Sequence, residues 1–174
     1  MRGYKILMDT ADLVLEDHHR QRKALALLDE TDPVNPPSLA AIWGDLADIL
    51  ETHAAAEQAV LCPRVLELSD PDASETEDAI GDHNDIRDAI ADVAAEPVGS
   101  DAWWKAVGAA PSANTEHMGE EEDKVLPHLR RRAAIAPRTD LGLGLGLEPA
   151  KTSARKARFD TSDKEQDDFV AEHT

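Results

Sequence analysis

The segment from His53 to Pro63, HAAAEQAVLCP, and the segment from His117 to Pro127, HMGEEEDKVLP, share one frame. In each, a glutamate follows the histidine by four positions and a proline follows it by ten. A second pair of segments repeats too. DHHRQR (residues 17–22) and DHNDIR (residues 82–87) both carry Asp-His, with an arginine four past that histidine. The offset from His18 to His83 is 65, and that from His53 to His117 is 64. The chain therefore reads as two helical hairpins of one design, each with a histidine on its first helix and His-x-x-x-Glu on its second.

Helical periodicity supports four segments. The first spans about Thr10 to Glu30, with Val14, Leu25 and Leu28 on one stripe, and TDPVNPP ends it because proline cannot continue a helix. The second is expected to start at Ser38 as N-cap, after Pro36 and Pro37. Its stripe runs through Leu39, Ile42, Leu46, Ile49, His53, Glu57 and Val60. The third follows the loop SDPDASE and carries Ile80, His83, Ile86, Ile90 and Val93. The fourth begins near Ser100 or Asp101, with Trp104 and Val107, and reaches Leu126 and Leu129; Pro111 should kink or split it. Short connections and the absence of strand-like alternation point to an all-α, up-down-up-down antiparallel four-helix bundle over residues 1–137. Residues 138–174 begin with alternating Leu and Gly, which disfavours helix, and read as a flexible tail with a short helix near Lys164 to Glu172.

The repeated frame lies on the buried faces. Residues four apart share one side of a helix, so His53 with Glu57, and His117 with Glu121, point inward together. His18 continues the stripe of Val14, and His83 lies between Ile80 and Ile86. Burying a lone carboxylate costs several kcal/mol or forces its protonation. Four histidines and two glutamates in one layer need positive charge between them, which a metal pair supplies, with the carboxylates bridging. Mixed nitrogen and oxygen ligation suits iron, manganese or zinc. No H-E-x-x-H occurs, and the single Glu-x-x-His, Glu16 to His19, does not make a ferritin-type set.

These pieces resemble the hemerythrin-like (HHE cation-binding) domain family. EDHHRQR, HAAAEQAVLCP, DHNDIR and HMGEEEDKVLP occur in the family's order over about Asp9 to Arg132. The resemblance implies two iron ions in an oxo- or hydroxo-bridged di-iron centre, with manganese or zinc as alternatives. It assigns His18, His53, His83 and His117 as terminal ligands, and Glu57 and Glu121 as bridges. Oxygen-carrying hemerythrins have a further histidine one turn before the one that His83 matches; here that position is Ala79. An open coordination position favours reactivity with small molecules over simple carriage.

Several other residues have plainer readings. His19 lies off the apolar stripe, and His128 reads as a surface residue. Asp17, Asp82, Arg22 and Arg87 either orient the ligands or form ordinary surface pairs. Glu122 is placed to reach a metal or, like Glu120, to donate a proton. Cys62 reads as a small buried hydrophobe, and Tyr4, remote from every ligand, argues against a tyrosyl radical. The formal net charge of -18 disfavours nucleic acid as a partner. No apolar run is long enough for a membrane span, and acids at Asp9 and Asp12 interrupt any signal-like stretch, so a cytoplasmic location is expected. The expected ligand is a small diatomic molecule or peroxide, with the tail as a place for a protein partner. Two functional classes follow: a di-iron protein that binds or senses O₂ or NO or handles iron and oxidative stress, and a catalase- or peroxidase-like enzyme.

Glu57→Ala and Glu121→Ala should each lower metal occupancy and melting temperature together, because a metal that binds only the folded chain stabilises it by mass action. Metal analysis and thermal melts of the same preparations check this; full occupancy with unchanged stability would remove the bridging role.

Overall fold

The computed structural model describes residues 9–68, 74–134 and 162–174, with backbone alone at residues 74–75 and 111–113. Tyr4, most of the SDPDASE loop and the Leu-Gly part of the tail lie outside the described residues. Those described are helical throughout, with short connections and no strand. In chain order, α1 is Thr10–Glu30, α2 Pro36–Ala56, α3 Cys62–Leu68, α4 Ser74–Ala95, α5 Asp101–Glu120, α6 Leu126–Arg132 and α7 Gln166–His173. Two π-helical turns, Glu57–Leu61 and Glu121–Val125, join α2 to α3 and α5 to α6 without a break. The result is a helical bundle. None of the described helices is long and apolar enough to cross a membrane.

Local chemistry sets the boundaries. Asp9 caps α1, its side chain accepting from the Ala11 N–H. The cap of α2 is Asn35, not Ser38: the Asn35 side chain accepts from the Ser38 N–H, and Pro36 and Pro37 occupy the first helical positions. Proline fits there because those N–H groups have no intrahelical partner and its φ is already helical. Ser100 caps α5 by accepting from the Trp103 N–H. Just before it, the Ser100 N–H bonds to the Pro97 carbonyl at 3.0 Å. Gly99, with φ of 81°, supplies the left-handed residue that this turn needs.

Pro111 does not split α5, whose helix is continuous from Asp101 to Glu120. Its cost, about 3 kcal/mol, is met by packing on both sides, where Trp103, Val107 and Ala110 precede it and Asn114, His117 and Met118 follow, all buried. The buried tryptophan of α5 is Trp103; Trp104 is only partly covered. Trp103 meets Trp43 edge-on with ring centres 6.3 Å apart.

Two apolar clusters bracket the candidate ligands. One holds Leu28, Leu39, Leu46, Ile90, Trp103 and Val107, among others. The other holds Ala11, Val14, Leu61, Val65, Leu126 and Leu129 with their neighbours. His18 and His117 fall between the two clusters along their own helices, and His53 falls between Leu50 and Ala56. The polar layer is thus sealed from water at both ends.

A third cluster joins Cys62, Leu66 and Ile80 to Phe169 of α7. Asn84 grips the chain just before α7, donating to the Lys164 carbonyl at 2.8 Å and accepting from the Lys164 N–H at 3.2 Å. The Gln166 amide donates to the Glu77 carbonyl at 3.1 Å. A side chain at Gly81 would meet that amide at 2.3 Å, so glycine lets α7 lie close on α4.

Phe169→Ala should unseat α7 while leaving the bundle folded. Losing about 1.5–3 kcal/mol of apolar burial should raise the rate of Cys62 modification by a thiol reagent at least about tenfold. An unchanged rate would mean that α7 does not shield the thiol.

Candidate metal centre

All six residues expected at the site are buried and come together. His18, His53, Glu57 and Glu121 offer ligand atoms within 4.8 Å of one another, and so do Glu57, His83 and His117. Glu57 belongs to both groups. Its Oε1 lies 3.2 Å from His53 Nε2, and its Oε2 lies 3.3 Å from His83 Nε2 and 3.6 Å from His117 Nε2. Glu121 Oε2 faces both groups as well, 3.1 Å from His18 Nε2 and 3.7 Å from His117 Nε2. His83 and His117 bring their Nε2 atoms to 3.1 Å.

A π-helical turn opens at each of the two glutamates, and the N–H groups of Cys62 and Leu126 reach back five residues to the Glu57 and Glu121 carbonyls. The prolines at 63 and 127 explain why the turns are there. A proline inside an α-helix loses an N–H and crowds the carbonyl four residues back, and a wider turn relieves that contact.

The outward ring nitrogens face carboxylates. Glu122 Oε1 lies 2.8 Å from His18 Nδ1 and 2.7 Å from Arg22. Asp17 Oδ2 stands 3.6 Å from His53 Nδ1, and Asp82 Oδ2 stands 3.4 Å from His117 Nδ1. The two aspartates thus serve the histidine of the neighbouring helix and not the one beside them in sequence. An acceptor behind Nδ1 holds the proton there and turns the Nε2 lone pair inward.

This arrangement suits a cation. His53 Nε2 and both oxygens of Glu57 have no hydrogen-bond partner among the described residues, although they are in contact and Glu57 is only 1 % exposed. Acceptor atoms crowded together in a dry layer are costly unless something positive lies among them. Three imidazole and carboxylate donors or more on each side meet the usual demand of a nitrogen- and oxygen-ligated divalent ion.

A model of the hemerythrin HHE cation binding domain matches residues 9–129. The chain belongs to that family. No curated protein and no solved structure matches it. The HHE match covers α1 through most of α6 and leaves α7 outside.

Within this HHE domain, Glu122 does not face the candidate metal groups: it backs His18 from outside, tied to Arg22. Its pairing with those two groups outweighs partial burial and holds its carboxyl below the usual range. Glu120 remains near the site, half-buried and paired with Lys124 at 2.8 Å. His19 is exposed and His128 half-buried, and neither joins the clusters. Cys62 is buried and also outside them, its thiol pushed well up by burial and by the nearby glutamates. One contact missed in the sequence is polar: Asn114 donates to Gln21 at 3.0 Å, between two buried amides.

Burial opposes the charged forms, yet Glu57, Asp17 and Glu121 raise His53, while Glu121, Asp82 and Glu57 raise His117 well above the usual histidine value. Burial instead pulls His83 down to about 4, and the positive His117 adds to that. Burial likewise opposes ionisation of Glu57, but His53, His117 and His83 keep its carboxyl well below the ordinary range. Raised histidines keep their protons to higher pH than free imidazoles do, and a metal must displace them. Adding zinc to metal-free protein at pH 7 in weak buffer should therefore release protons, detectable with an indicator dye. Affinity should rise with pH up to the raised histidine values and flatten beyond them. Binding without proton release would count against His53 and His117 as ligands.

Proposed function

We propose that this chain is a non-heme di-iron protein, built on an up-down-up-down four-helix bundle, that binds or senses O₂ or NO or takes part in iron and oxidative-stress handling. His18 and His53 would hold one iron and His83 and His117 the other, with Glu57 and Glu121 shared. The bundle topology draws support from contacts between α1 and the α5–α6 rod: Arg130 pairs with Asp12, whereas Asn114 meets Gln21, so the two run in opposite directions. The observation that carries the functional reading is a cavity of about 10 Å³ beside the centre, room for roughly one water-sized molecule. Ala79, His117 and Glu121 line it, together with Asp82, Glu120 and Lys124. A space at Ala79 that touches two candidate ligands is what an exogenous diatomic molecule needs.

When bound, the metals supply Lewis acidity and redox capacity. The residues of the chain do the rest. Asp17, Asp82 and Glu122 orient three of the four imidazoles, the apolar clusters exclude bulk water, and the shared carboxylates keep the two positions close. A second reading, a di-iron enzyme that removes hydrogen peroxide, is favoured by Glu120, whose carboxylate lines the cavity and can carry a proton to or from it. The net charge of -18 supports a reading without nucleic acid, and a cytoplasmic location belongs to the same proposal.

Iron-reconstituted protein should contain two irons per chain by elemental analysis, and one or none would sink the di-iron reading. Ala79→His places an imidazole one turn before His83 on the same helix. In a variant that folds and holds both metals, peroxide turnover should slow while an azide or oxygen adduct becomes more stable. Turnover equal to the parent's would show that Ala79 does not mark the reactive position.

A further inference from the structure

We propose that the two metal positions are unequal, and that the exchange of Glu122 for Gln58 at equivalent places in the two halves makes them so. This inference rests on the two-metal reading. The offsets that relate His18 to His83 and Glu57 to Glu121 also relate Arg22 to Arg87 and Gln58 to Glu122. The two halves build the same constellation: a histidine, an arginine one turn later on its helix, and a residue just after the shared glutamate of another helix.

In one half that last residue is a carboxylate. Glu122 Oε1 meets both His18 Nδ1, at 2.8 Å, and Arg22, at 2.7 Å. The other half has an amide. Gln58 Oε1 accepts from Arg87 at 2.9 Å, but His83 Nδ1 and Gln58 Nε2 are both buried without a hydrogen-bond partner among the described residues. A carboxylate behind an imidazole fixes the proton on Nδ1, sets the ring's orientation and makes Nε2 a stronger donor to metal. A neutral amide held by a guanidinium supplies neither the charge nor, here, the contact. His18 is therefore a pre-set ligand and His83 a loosely set one. The His18–His53 position fills first, and the His83–His117 position fills second and empties first. The weaker position is also the one beside the cavity at Ala79, since His117 lines that cavity. Unequal ligation thus places the labile metal where an exogenous molecule arrives. Glu122 and Gln58 are positioning residues that act through His18 and His83.

Zinc titration of the metal-free full chain against a competing chelator tests this. The parent should bind zinc in two steps separated by about 10- to 100-fold, the usual effect of a carboxylate behind a ligating histidine. Glu122→Gln, at a partly exposed place where folding is safe, should weaken the tighter step and merge the two. Gln58→Glu should tighten the weaker step and merge them from the other side. Proton NMR of the diamagnetic zinc form gives a readout that a packing defect would not mimic. The parent should show a strongly downfield imidazole N–H from His18; Glu122→Gln should lose that signal, and Gln58→Glu should gain a new one from His83. Two indistinguishable steps in the parent, or a tighter step unmoved by Glu122→Gln, would overturn the inequality. Fewer than two zinc ions at saturation would overturn the two-metal reading and this inference with it. If Gln58→Glu fails to fold, Glu122→Gln with its NMR signal still decides.

Discussion

Everything in the bundle is arranged around the cost of keeping Glu57 charged in a dry interior. Its carboxylate is ringed by His53, His83 and His117 at 3.2 to 3.6 Å, and no hydrogen bond within the described residues satisfies either oxygen. A buried charge of this kind persists only when opposite charge is fixed close by. The histidines provide it when protonated and a cation provides it when they are not. That single requirement explains the polar layer across four helices, the carboxylates backing three of the rings, and the apolar plugs above and below.

The near-twofold repetition has a structural cost and a chemical use. Each half breaks its second long helix with a π-helical turn at the shared glutamate. Each interruption lies just ahead of a proline, Pro63 or Pro127, and the wider turn that relieves the proline starts at the shared glutamate. Departures from the repetition then become informative. Ala79 lines a cavity beside His117, and Gln58 stands where the other half has the charge of Glu122.

Much of this was legible in the sequence. The spacing of His53 and Glu57, and of His117 and Glu121, placed them on buried stripes, and the end of α1 follows from a proline-rich stop. Other features were hidden for physical reasons. Periodicity cannot separate Trp103 from Trp104, since adjacent residues straddle the edge of a stripe. Pro111 looked like a break because propensity counts local cost, whereas tertiary packing on both flanks decides the outcome. The π-helical turns had a signal in Pro63 and Pro127, but a proline alone does not say whether a helix kinks, ends or widens. The pairing of Asp17 with His53 and of Asp82 with His117 crosses between helices, and a linear reading favours sequence neighbours. Glu122 was misplaced for a related reason: adjacency to Glu121 suggested the same target, while the helical turn sends the two side chains to opposite nitrogens of one imidazole.

The grip of Asn84 on the backbone of Lys164 has a mechanical implication. Asn84 directly follows His83, and both of its amide atoms are committed to the chain that leads into α7. A tug on the C-terminal segment is therefore delivered to α4 one residue away from a candidate ligand, through two hydrogen bonds and not through the slack of a surface loop. Whatever is attached to, or takes hold of, the end of this chain pulls on a handle bolted beside the least firmly held imidazole of the centre.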